Sequence, residues 1–473
     1  MKRAPWLVTG LIAAAALAGL AMAHRLPPRA AAQPAPNPMA GAWRAESNGW
    51  IVARITGDGA ARGYQYGYLL APEIDDAIRT MQWEAGRNPA TNWAYYRKTA
   101  RAIFWPKLDP EYQQEIEGIA KGVEARGYAE DATDVLAENS DIEISDYYIP
   151  WLNSRQTGLV GSGAPMACSA FVATGSWTAD HKIVMGQNFW WSYLEGERFK
   201  LLLNVAPSQG NEFLMDTLPG LIDSATDWAI NKAGIMVTET TIGGFKDFDP
   251  NGVPEFMRMR KAVQYADSLA GFVKIISAGN NGGYANTWLL GDLKTNEIGK
   301  LQLGLTATEF DHTADGAYYS ANYAENPKII AQECYPGAAD NPSCTHRAAR
   351  WQQVLNANKG HINAQLARSF LEDTTDGITG ARGATGNTLC GKGGFSGACN
   401  AKVTTSTLAA KMQTWARMNI PDGETFSTAS LAQRNPQFAE GLGKYLKDMK
   451  PEPWTLFTAG VKPEPPAPPI SAP

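Results

Sequence analysis

Histidine and cysteine are scarce in this chain of 473 residues, which contains only five of each. The histidines, at positions 24, 181, 312, 346 and 361, form no HExxH motif and no Cys/His pair with zinc-ligand spacing, so metal-dependent hydrolysis is not expected. The sequence also lacks a P-loop and a dinucleotide-binding fingerprint. It has no GxSxG nucleophile elbow, because the segment GFSGA at 394–398 departs at its last position. These absences argue against nucleotide chemistry and against a serine esterase.

An excess of positive charge is missing as well. The 42 Lys and Arg residues are outnumbered by 47 Asp and Glu residues, which gives a net charge of −5. Such a chain has no basic field for a phosphate backbone, so nucleic acid is not an expected partner. The composition, 44% apolar, 10% aromatic and 19% charged, is that of a large folded core. The length allows about three domains or one large layered unit.

The amino terminus has the pattern of a secretory signal peptide. Lys2 and Arg3 precede an apolar run over 6–22, and the small residues at 21–23 (AMA) suggest cleavage after Ala23. We therefore predict a signal peptide over 1–23 and a secreted or periplasmic protein. An uncleaved membrane anchor is the alternative, since the run approaches the minimum length of a spanning helix. The Pro-rich segments 24–45 and 461–473 are predicted to be tails.

The remaining chain divides into an N-terminal part, 46–153, and a larger part, 168–460, separated by a Gly- and Ser-rich segment, 154–167, that reads as an exposed linker. In the first part, an acid, a proline and apolar residues at helical spacing predict a helix from about 110 to a terminal glycine at 127. After the linker, short β-prone runs separated by turns predict antiparallel sheet, interleaved with helices that include one over 407–418. This mixture favours the α+β class.

The five cysteines lie at positions 168, 334, 344, 390 and 399. In an oxidising compartment the simplest pairing, among fifteen ways of forming two bridges, joins 334 to 344 and 390 to 399 and leaves Cys168 unpaired. Cleavage of the Ala167–Cys168 bond would make Cys168 a new N-terminus whose amine could act as its base. An α-amine has a pKa near 7.7–8.0 and a thiol about 8.5, so this proton transfer is nearly balanced.

Several segments in the order of one family surround Cys168. They are Cys168-Ser169-Ala170, 186–193 (GQNFWWSY), 239–243 (ETTIG), 281–288 (NGGYANTW) with Asp292, and 397–403 (GACNAKV). Together they resemble the phospholipase B-like proteins, which are N-terminal nucleophile hydrolases. The segments 63–74 (GYQYGYLLAPEI) and 115–127 (EIEGIAKGVEARG) are similar to the related isopenicillin N acyltransferase-like autoproteolytic family.

The resemblance implies an αββα sandwich of two antiparallel sheets, cut before Cys168, without a metal or organic cofactor. It implies that the Cys168 thiol attacks an acyl carbonyl and that Asn286 supplies an oxyanion-hole donor, although an asparagine here could instead fix a strand-end turn. Gln187, Asn188 and Thr240 are expected to line the site near the new amine, or else to be ordinary strand polar groups. Gln187 stands where many members carry histidine, and a glutamine cannot titrate.

The function expected from these observations is that of an exported, autoprocessed hydrolase that uses Cys168 to cleave an acyl ester or amide bond. Its partner would be an acyl-bearing small molecule or a lipid, the latter with transient contact to a membrane surface. One alternative is an acyltransferase or amidase acting on N-acylated small molecules or peptides. The other is a non-catalytic binding protein on the same fold, with its tryptophans and tyrosines as the recognition surface.

Overall fold

The computed structural model of the protein describes residues 37–157, 168–434, 436 and 443–464. From Pro38 onward the described chain forms one compact unit. The predicted signal peptide, residues 24–36 of the predicted tail, residues 158–167 of the predicted linker and residues 465–473 lie outside the described residues. None of the helices in the described ranges is both long and apolar enough to cross a bilayer.

The described residues contain sixteen strands in two sheets. Across the first sheet the strands follow one another in the order β1 (Trp43–Ser47), β2 (Trp50–Gly57), β5 (Leu201–Pro207), β6 (Phe213–Thr217), β7 (Ala229–Asn231), β8 (Ile235–Thr241), β9 (Asn286–Asp292), β10 (Glu297–Leu303) and β11 (Thr308–Thr313). Across the second the order is β12 (Gly316–Ser320), β3 (Ser169–Thr174), β4 (Val184–Ser192), β14 (Ser396–Thr405), β15 (Gln413–Met418) and β16 (Thr455–Thr458), and the short β13 (Lys392–Gly393) pairs with β14.

Helices connect the strands and cover the sheets. In chain order the α-helices are α1 (Gly59–Gly86), α2 (Trp93–Thr99), α3 (Pro110–Ala125), α4 (Ala132–Asn139), α5 (Ile149–Thr157), α6 (Tyr193–Gly196), α7 (Glu255–Tyr265), α8 (Leu269–Ser277), α9 (Pro342–Ala357), α10 (Ala364–Leu371), α11 (Ser406–Ala409) and α12 (Thr428–Arg434).

The alternation of side chains along β2 shows how the layers are built. Trp50 and Val52 pack between the sheets, in one cluster with Phe457 of the second sheet. Their neighbours Ile51 and Ala53 point the other way and share a cluster with apolar residues of α1 and α3. On the far side, residues of α9 and α10 pack against β3 and β14. The molecule is therefore an α+β sandwich of two packed sheets with helices on both outer faces, as predicted.

One strand pair departs from the predicted antiparallel arrangement. β2 and β5 are parallel, with Ile51 opposite Leu201 and Gly57 opposite Pro207. Parallel neighbours need a long crossover connection, and here the helices α1 to α5 with β3 and β4 lie between them in the chain. The other named strand pairs are antiparallel.

The helix predicted over 407–418 is wrong. The helix α11 ends at Ala409, and 413–418 forms β15 between β14 and β16. Burial along β15 alternates strictly, with Thr414, Ala416 and Met418 buried and the residues between them half-buried. This period of two marks a strand, and it outweighs the helix propensity of Ala, Lys and Met in the same segment.

Two predicted boundaries fall inside elements of secondary structure. The tail predicted over 24–45 ends earlier, because β1 begins at Trp43 and pairs with β2. The linker predicted from 154 begins later, since α5 continues to Thr157. Trp151 of α5 stacks on Tyr148 and packs against Phe248, and these aromatic contacts hold the helix on the molecule.

The two predicted disulfides are absent from the structure, in which no bridge joins the cysteines and all five are buried. The local contacts of two thiols explain the difference. Cys344 lies in the first turn of α9 with its sulfur 3.4 Å from the Asn322 carbonyl. Cys399 in β14 directs its sulfur to the Gly397 carbonyl at 3.3 Å. The sulfurs of Cys344 and Cys399 thus contact nearby carbonyls and form no bridge to their predicted partners, Cys334 and Cys390.

Candidate active site

Cys168 lies immediately before β3 and is fully buried. The next residue, Ser169, accepts a hydrogen bond from Trp351 Nε1 of α9 at 2.8 Å, so its side chain faces the outer helices. Successive side chains of an extended chain point in opposite directions. The Cys168 thiol accordingly lies on the other side, beside the carboxyl group of Glu239 on β8.

The backbone of Cys168 is held by an arginine from α9. Arg347 donates from one nitrogen to the Cys168 carbonyl and, at 2.9 Å, to Oδ1 of Asn322. Its guanidinium lies 5.0 Å from the ring centroid of Trp190. Arg347 is completely buried, so these contacts fix the start of β3 from behind.

Two carboxyl groups stand next to the thiol. Glu239 hydrogen-bonds both Cys168 and Asp227, which lies before β7 in a left-handed conformation with φ of 52°. Burial raises the pKa of Asp227 well above its usual range, and the neighbouring charge of Glu239 adds to this rise. Burial also raises the pKa of Glu239, with a further contribution from Glu255. Two carboxyl groups that are buried and hydrogen-bonded to each other favour a state in which they share one proton at neutral pH.

The thiol is held in its neutral form before any cleavage. Burial raises the pKa of Cys168 well above its ordinary value, and the charge of Glu239 raises it further. The backbone N–H of Trp190, which donates to the sulfur, and the ammonium of Lys402 act in the opposite direction. Because burial dominates, the uncut chain contains no preformed thiolate at this position.

Lys402 belongs to a buried polar group between the sheets. Its ammonium lies 2.6 Å from Oδ2 of Asp216 and 2.8 Å from Oδ1 of Asn400. Asn400 in turn donates to Asp216 at 3.1 Å. Burial lowers the pKa of Lys402, while the Asp216 carboxylate works against that change. Lys402 and Asp216 are both fully buried, so each satisfies the other's charge.

Asn286, the first residue of β9, lies in the same cluster as Cys168. With its amide nitrogen toward Glu239 it donates to Oε2 at 2.9 Å and to the Ala285 carbonyl at 3.0 Å. In the opposite orientation Nδ2 donates to Oδ2 of Asp227 at 3.3 Å. In both cases the amide is tied to the acid pair. To serve as an oxyanion donor it has to exchange that partner for the substrate.

Gln187 crosses between the sheets. Its Nε2 donates to the backbone carbonyls of Thr226, at 2.8 Å, and Glu239, at 3.1 Å. These bonds position the two segments that carry the acid pair. Its buried Oε1 has no partner among the described residues and remains available as an acceptor.

Asn188 points to the opposite face of β4. Its Nδ2 donates to the carbonyls of Leu371 and Leu389, at 2.8 and 2.9 Å, under the outer helices. The structure therefore gives Asn188 the role of holding the end of α10 and a nearby loop. It does not direct that amide nitrogen to the Cys168 thiol.

Thr240 is connected to Cys168 through Asn322 and Arg347. Its hydroxyl hydrogen-bonds Ser320 of β12 at 2.5 Å and accepts from the Asn322 backbone N–H at 3.2 Å. The same Asn322 binds Arg347, which holds the Cys168 carbonyl. Thr240 thus joins the two sheets and supports Cys168 through two intermediates.

Sequence analysis missed the acid pair and Arg347. Glu239 stands inside a β-prone run with no charge neighbour in sequence, and a carboxylate at such a position is a usable signal of a buried polar site. Asp227 and Arg347 give no comparable local signal. They are separated from Cys168 by 59 and 179 residues respectively, and only the packing of the sheets and α9 brings them to it.

A pocket of about 530 Å³ opens on the surface nearby. Its wall carries four carboxyl groups and one arginine, namely Glu84, Asp141, Asp146, Glu195 and Arg87. Met81, Asp141, Trp191 and Glu195 also line a smaller inner cavity of about 20 Å³. Another wall residue of this cavity, Tyr284, lies close enough to Cys168, Glu239 and Asp227 for their charges to affect its pKa. The two spaces together lead from the surface toward the nucleophile.

Comparison with known proteins places this arrangement in a family. Residues 79–308, which include Cys168, Asp227, Glu239 and Asn286, match the sequence model of the Phospholipase B family. Over this range the chain is similar to the phospholipase B-like family. Similar relatives include the putative phospholipase B-like 2 of Rattus norvegicus, 30% identical over 162 residues, which are 31% of this chain and 27% of that protein.

Other relatives of the family extend the match. The putative phospholipase B-like 2 of Homo sapiens is 29% identical over 244 residues, which are 49% of this chain and 40% of that protein. An uncharacterized protein of Archaeoglobus fulgidus is 28% identical over 279 residues, which are 56% of this chain and 45% of that protein. The chain thus spans less than half the length of the curated relatives it matches. Similarity to the phospholipase B-like family supports a hydrolase.

The described residues contain no group of three or more His, Cys, Asp or Glu side chains that could hold a metal ion.

Proposed function

We propose that the protein is an exported acyl hydrolase that cuts itself before Cys168 and then uses the Cys168 thiol as an N-terminal nucleophile. The observation that carries the proposal is the position of this thiol, at the start of a central strand, between a carboxyl pair and a held carbonyl. The substrate class is an acyl ester or amide of a small molecule or lipid, in keeping with the family.

The first step of the proposal is an intramolecular acyl shift. The sulfur attacks the Ala167 carbonyl carbon, the bond from that carbon to the Cys168 nitrogen breaks, and a thioester forms. The thiol proton passes to the departing amine, with the Glu239 and Asp227 pair as the nearest groups that can accept and return it. Water then hydrolyses the thioester and leaves a free thiol, a free Cys168 amine and a new carboxylate at Ala167.

The second step is turnover. The new amine takes the proton from the thiol, and the sulfur attacks the acyl carbonyl of the substrate. Asn286 donates to the oxygen that becomes negative, once it has left its carboxyl partner. Gln187 contributes its unpartnered Oε1 as an acceptor for the amine. The leaving group departs with the proton, and water releases the acid.

Intact-mass measurement of the purified protein tests the processing step. We expect two chains whose masses sum to that of the exported precursor plus one water, the second beginning Cys-Ser-Ala-Phe. Cys168→Ala should stay uncut and inactive, and Cys168→Ser should cut slowly if at all, because a hydroxyl is a weaker nucleophile.

Cys334→Ala is the matched control, since it removes another buried thiol that packs in a different apolar cluster from that of Cys168. We expect it to be cut as the wild type is. Full activity in protein that remains uncut at Ala167–Cys168 would refute the proposal.

A further inference from the structure

The inner cavity is lined by an unusual number of carboxyl groups. They are Glu138, Asp141, Glu143, Glu195, Asp223 and Glu255. The ion pairs found among the described residues involve none of these six. Burial of so many acids is costly unless they bind protons or a cation, and a positively charged ligand would relieve that cost.

Three of these acids have carboxyl oxygens without a hydrogen-bond partner among the described residues. Glu138 is 2% exposed, and neither of its carboxyl oxygens has a hydrogen-bond partner among the described residues. Asp223 and Glu255, each also 2% exposed, have one such oxygen apiece. An ammonium group has three N–H donors and no acceptor, so it matches this set of acceptors.

The nearest buried cations are already engaged. Arg258 donates to the carbonyls of Val253 and Gly283 at 3.0 and 3.1 Å. Arg260, which is close enough to Asp223 to lower its pKa, is paired with Glu115. The ten residues 158–167 have no lysine, arginine or histidine in their sequence, so none of their side chains is a cation.

The acids do not form a metal site. The described residues contain no cluster of three or more acidic, histidine or cysteine ligands with the spacing for an ion. The inner cavity of about 20 Å³ has room for little more than one small polar group, and it opens through shared walls to a pocket of about 530 Å³. The geometry suits a cationic head at the end of a longer organic molecule.

We propose that the acyl substrate of this enzyme carries an ammonium group, which binds against Glu138 in the inner cavity. This inference rests on the proposed function for its link to hydrolysis. The same acids disfavour a substrate with a phosphate or carboxylate beside the scissile bond, because like charges repel at short range in a dry site.

Equilibrium binding of three probes tests the cation site independently of catalysis. Hexylamine, hexan-1-ol and hexanoate share one chain and differ in charge. We expect hexylamine to bind wild-type protein at least about tenfold more tightly than hexan-1-ol, and hexanoate to bind more weakly than either. Glu138→Gln should remove that preference for the amine. Glu124→Gln, on the exposed face of α3, should keep it.

Hydrolysis of 6-aminohexanoyl and hexanoyl p-nitroanilides separates the two proposals. A Cys168-dependent activity without preference for the amino substrate, together with equal binding of amine and alcohol, overturns the cation site alone. Amine binding that depends on Glu138, without any Cys168-dependent hydrolysis, overturns the proposed function alone. Unchanged amine affinity in Glu138→Gln would also refute the assignment of that residue.

Discussion

At the scale of single residues, the proposed mechanism uses carboxyl groups and a new amine at Cys168 in place of a histidine base. Glu239 and Asp227 are buried and share a proton, and Asn286 is hydrogen-bonded to this pair. The amide of Asn286 is therefore placed to move between a carboxyl group in the resting site and a developing oxyanion during reaction.

Asn286→Ala tests this assignment. We expect turnover to fall by ~100- to 1,000-fold, because a donor to the developing charge is lost, while substrate binding changes much less. The measurement is kcat and KM on processed protein, with the thermal midpoint recorded in parallel. If kcat stays within a few-fold and only the midpoint falls, Asn286 holds a strand end and is not an oxyanion donor.

Sequence analysis singled out Cys168 as the candidate nucleophile, but it identified only some of the residues that surround it. Cys168 and Asn286 fall in one cluster, as the resemblance implied, although their roles remain predictions. Asn188 lies on the other face of β4, and a strand register that decides such a face depends on pairing partners far along the chain. Glu239 was inside a quoted segment, yet its partner Asp227 comes from a loop that no local pattern marks.

At the scale of elements, the crossing of α1 and α3 is built on glycines. Gly63 and Gly67 of α1 face α3 so closely that a Cβ added at Gly67 would lie 1.9 Å from the Ile119 carbonyl oxygen. Gly122 of α3 is equally close to α1, because a Cβ added there would lie 2.3 Å from the Tyr64 carbonyl oxygen. The spacing of four residues puts these glycines on one face of each helix.

Gly67→Ala should destabilise the protein by about 1–3 kcal/mol or more, because the neighbour is rigid backbone and the helices have to separate. Gly86→Ala is the matched control, since nothing lies within 4 Å of its Cβ position at the end of the same helix. There we expect a neutral or slightly stabilising effect. Urea denaturation of both variants in the Cys168→Ala background measures the difference. Similar stability in the two would mean that the helices do not depend on this close contact.

Elements with a strong local pattern were predictable. The helix predicted from about 110 to 127 is found as α3, and Gly127 after it adopts a φ of +85°. Its preceding Asp109, however, does not cap the helix but pairs with Lys261 at 2.7 Å. For β15 the local sequence favoured a helix, but pairing with strands on both sides determined that the segment forms a strand.

At the scale of the whole molecule, buried carboxyl groups make stability depend on pH. Burial raises the pKa of Glu143 and Asp223 to about 7 and that of Glu195 to about 8. Above pH 4.5 the folded protein therefore binds protons that the unfolded chain has released. Stability contributed by these groups is greatest in acid and is lost as the pH rises toward 8.

We expect the free energy of unfolding of uncut Cys168→Ala to decrease between pH 5 and pH 8, after subtraction of the trend of exposed groups. Glu195→Gln in that background should show a shallower decrease, because the group that must ionise is gone while Trp191 keeps an acceptor. Glu124→Gln should retain the original slope. A slope that is steeper in Glu195→Gln would contradict the assignment.

The two chains produced by cleavage should remain together. β1 and β2 precede the cut, and β2 pairs along its whole length with β5, which follows it. Helices α1 and α3 also share a core with strands of the second chain. Native mass spectrometry should find one particle, and denaturing electrophoresis should find two chains. Separation of the chains in native buffer would show that the shared sheet is too weak to hold them.

The contacts that fix Cys168 have a further consequence. Trp190, Glu239 and Arg347, which hold its sulfur and its carbonyl, all follow it in the chain, whereas Glu138 and Asp141 of the inner cavity precede it. The downstream part of the chain carries the Cys168 thiol, the groups that hold it and three of the six cavity acids, and the upstream part contributes the other three, Glu138, Asp141 and Glu143. Substitutions in α4 and in the residues after it would therefore change the proposed substrate preference without altering the residues that hold Cys168.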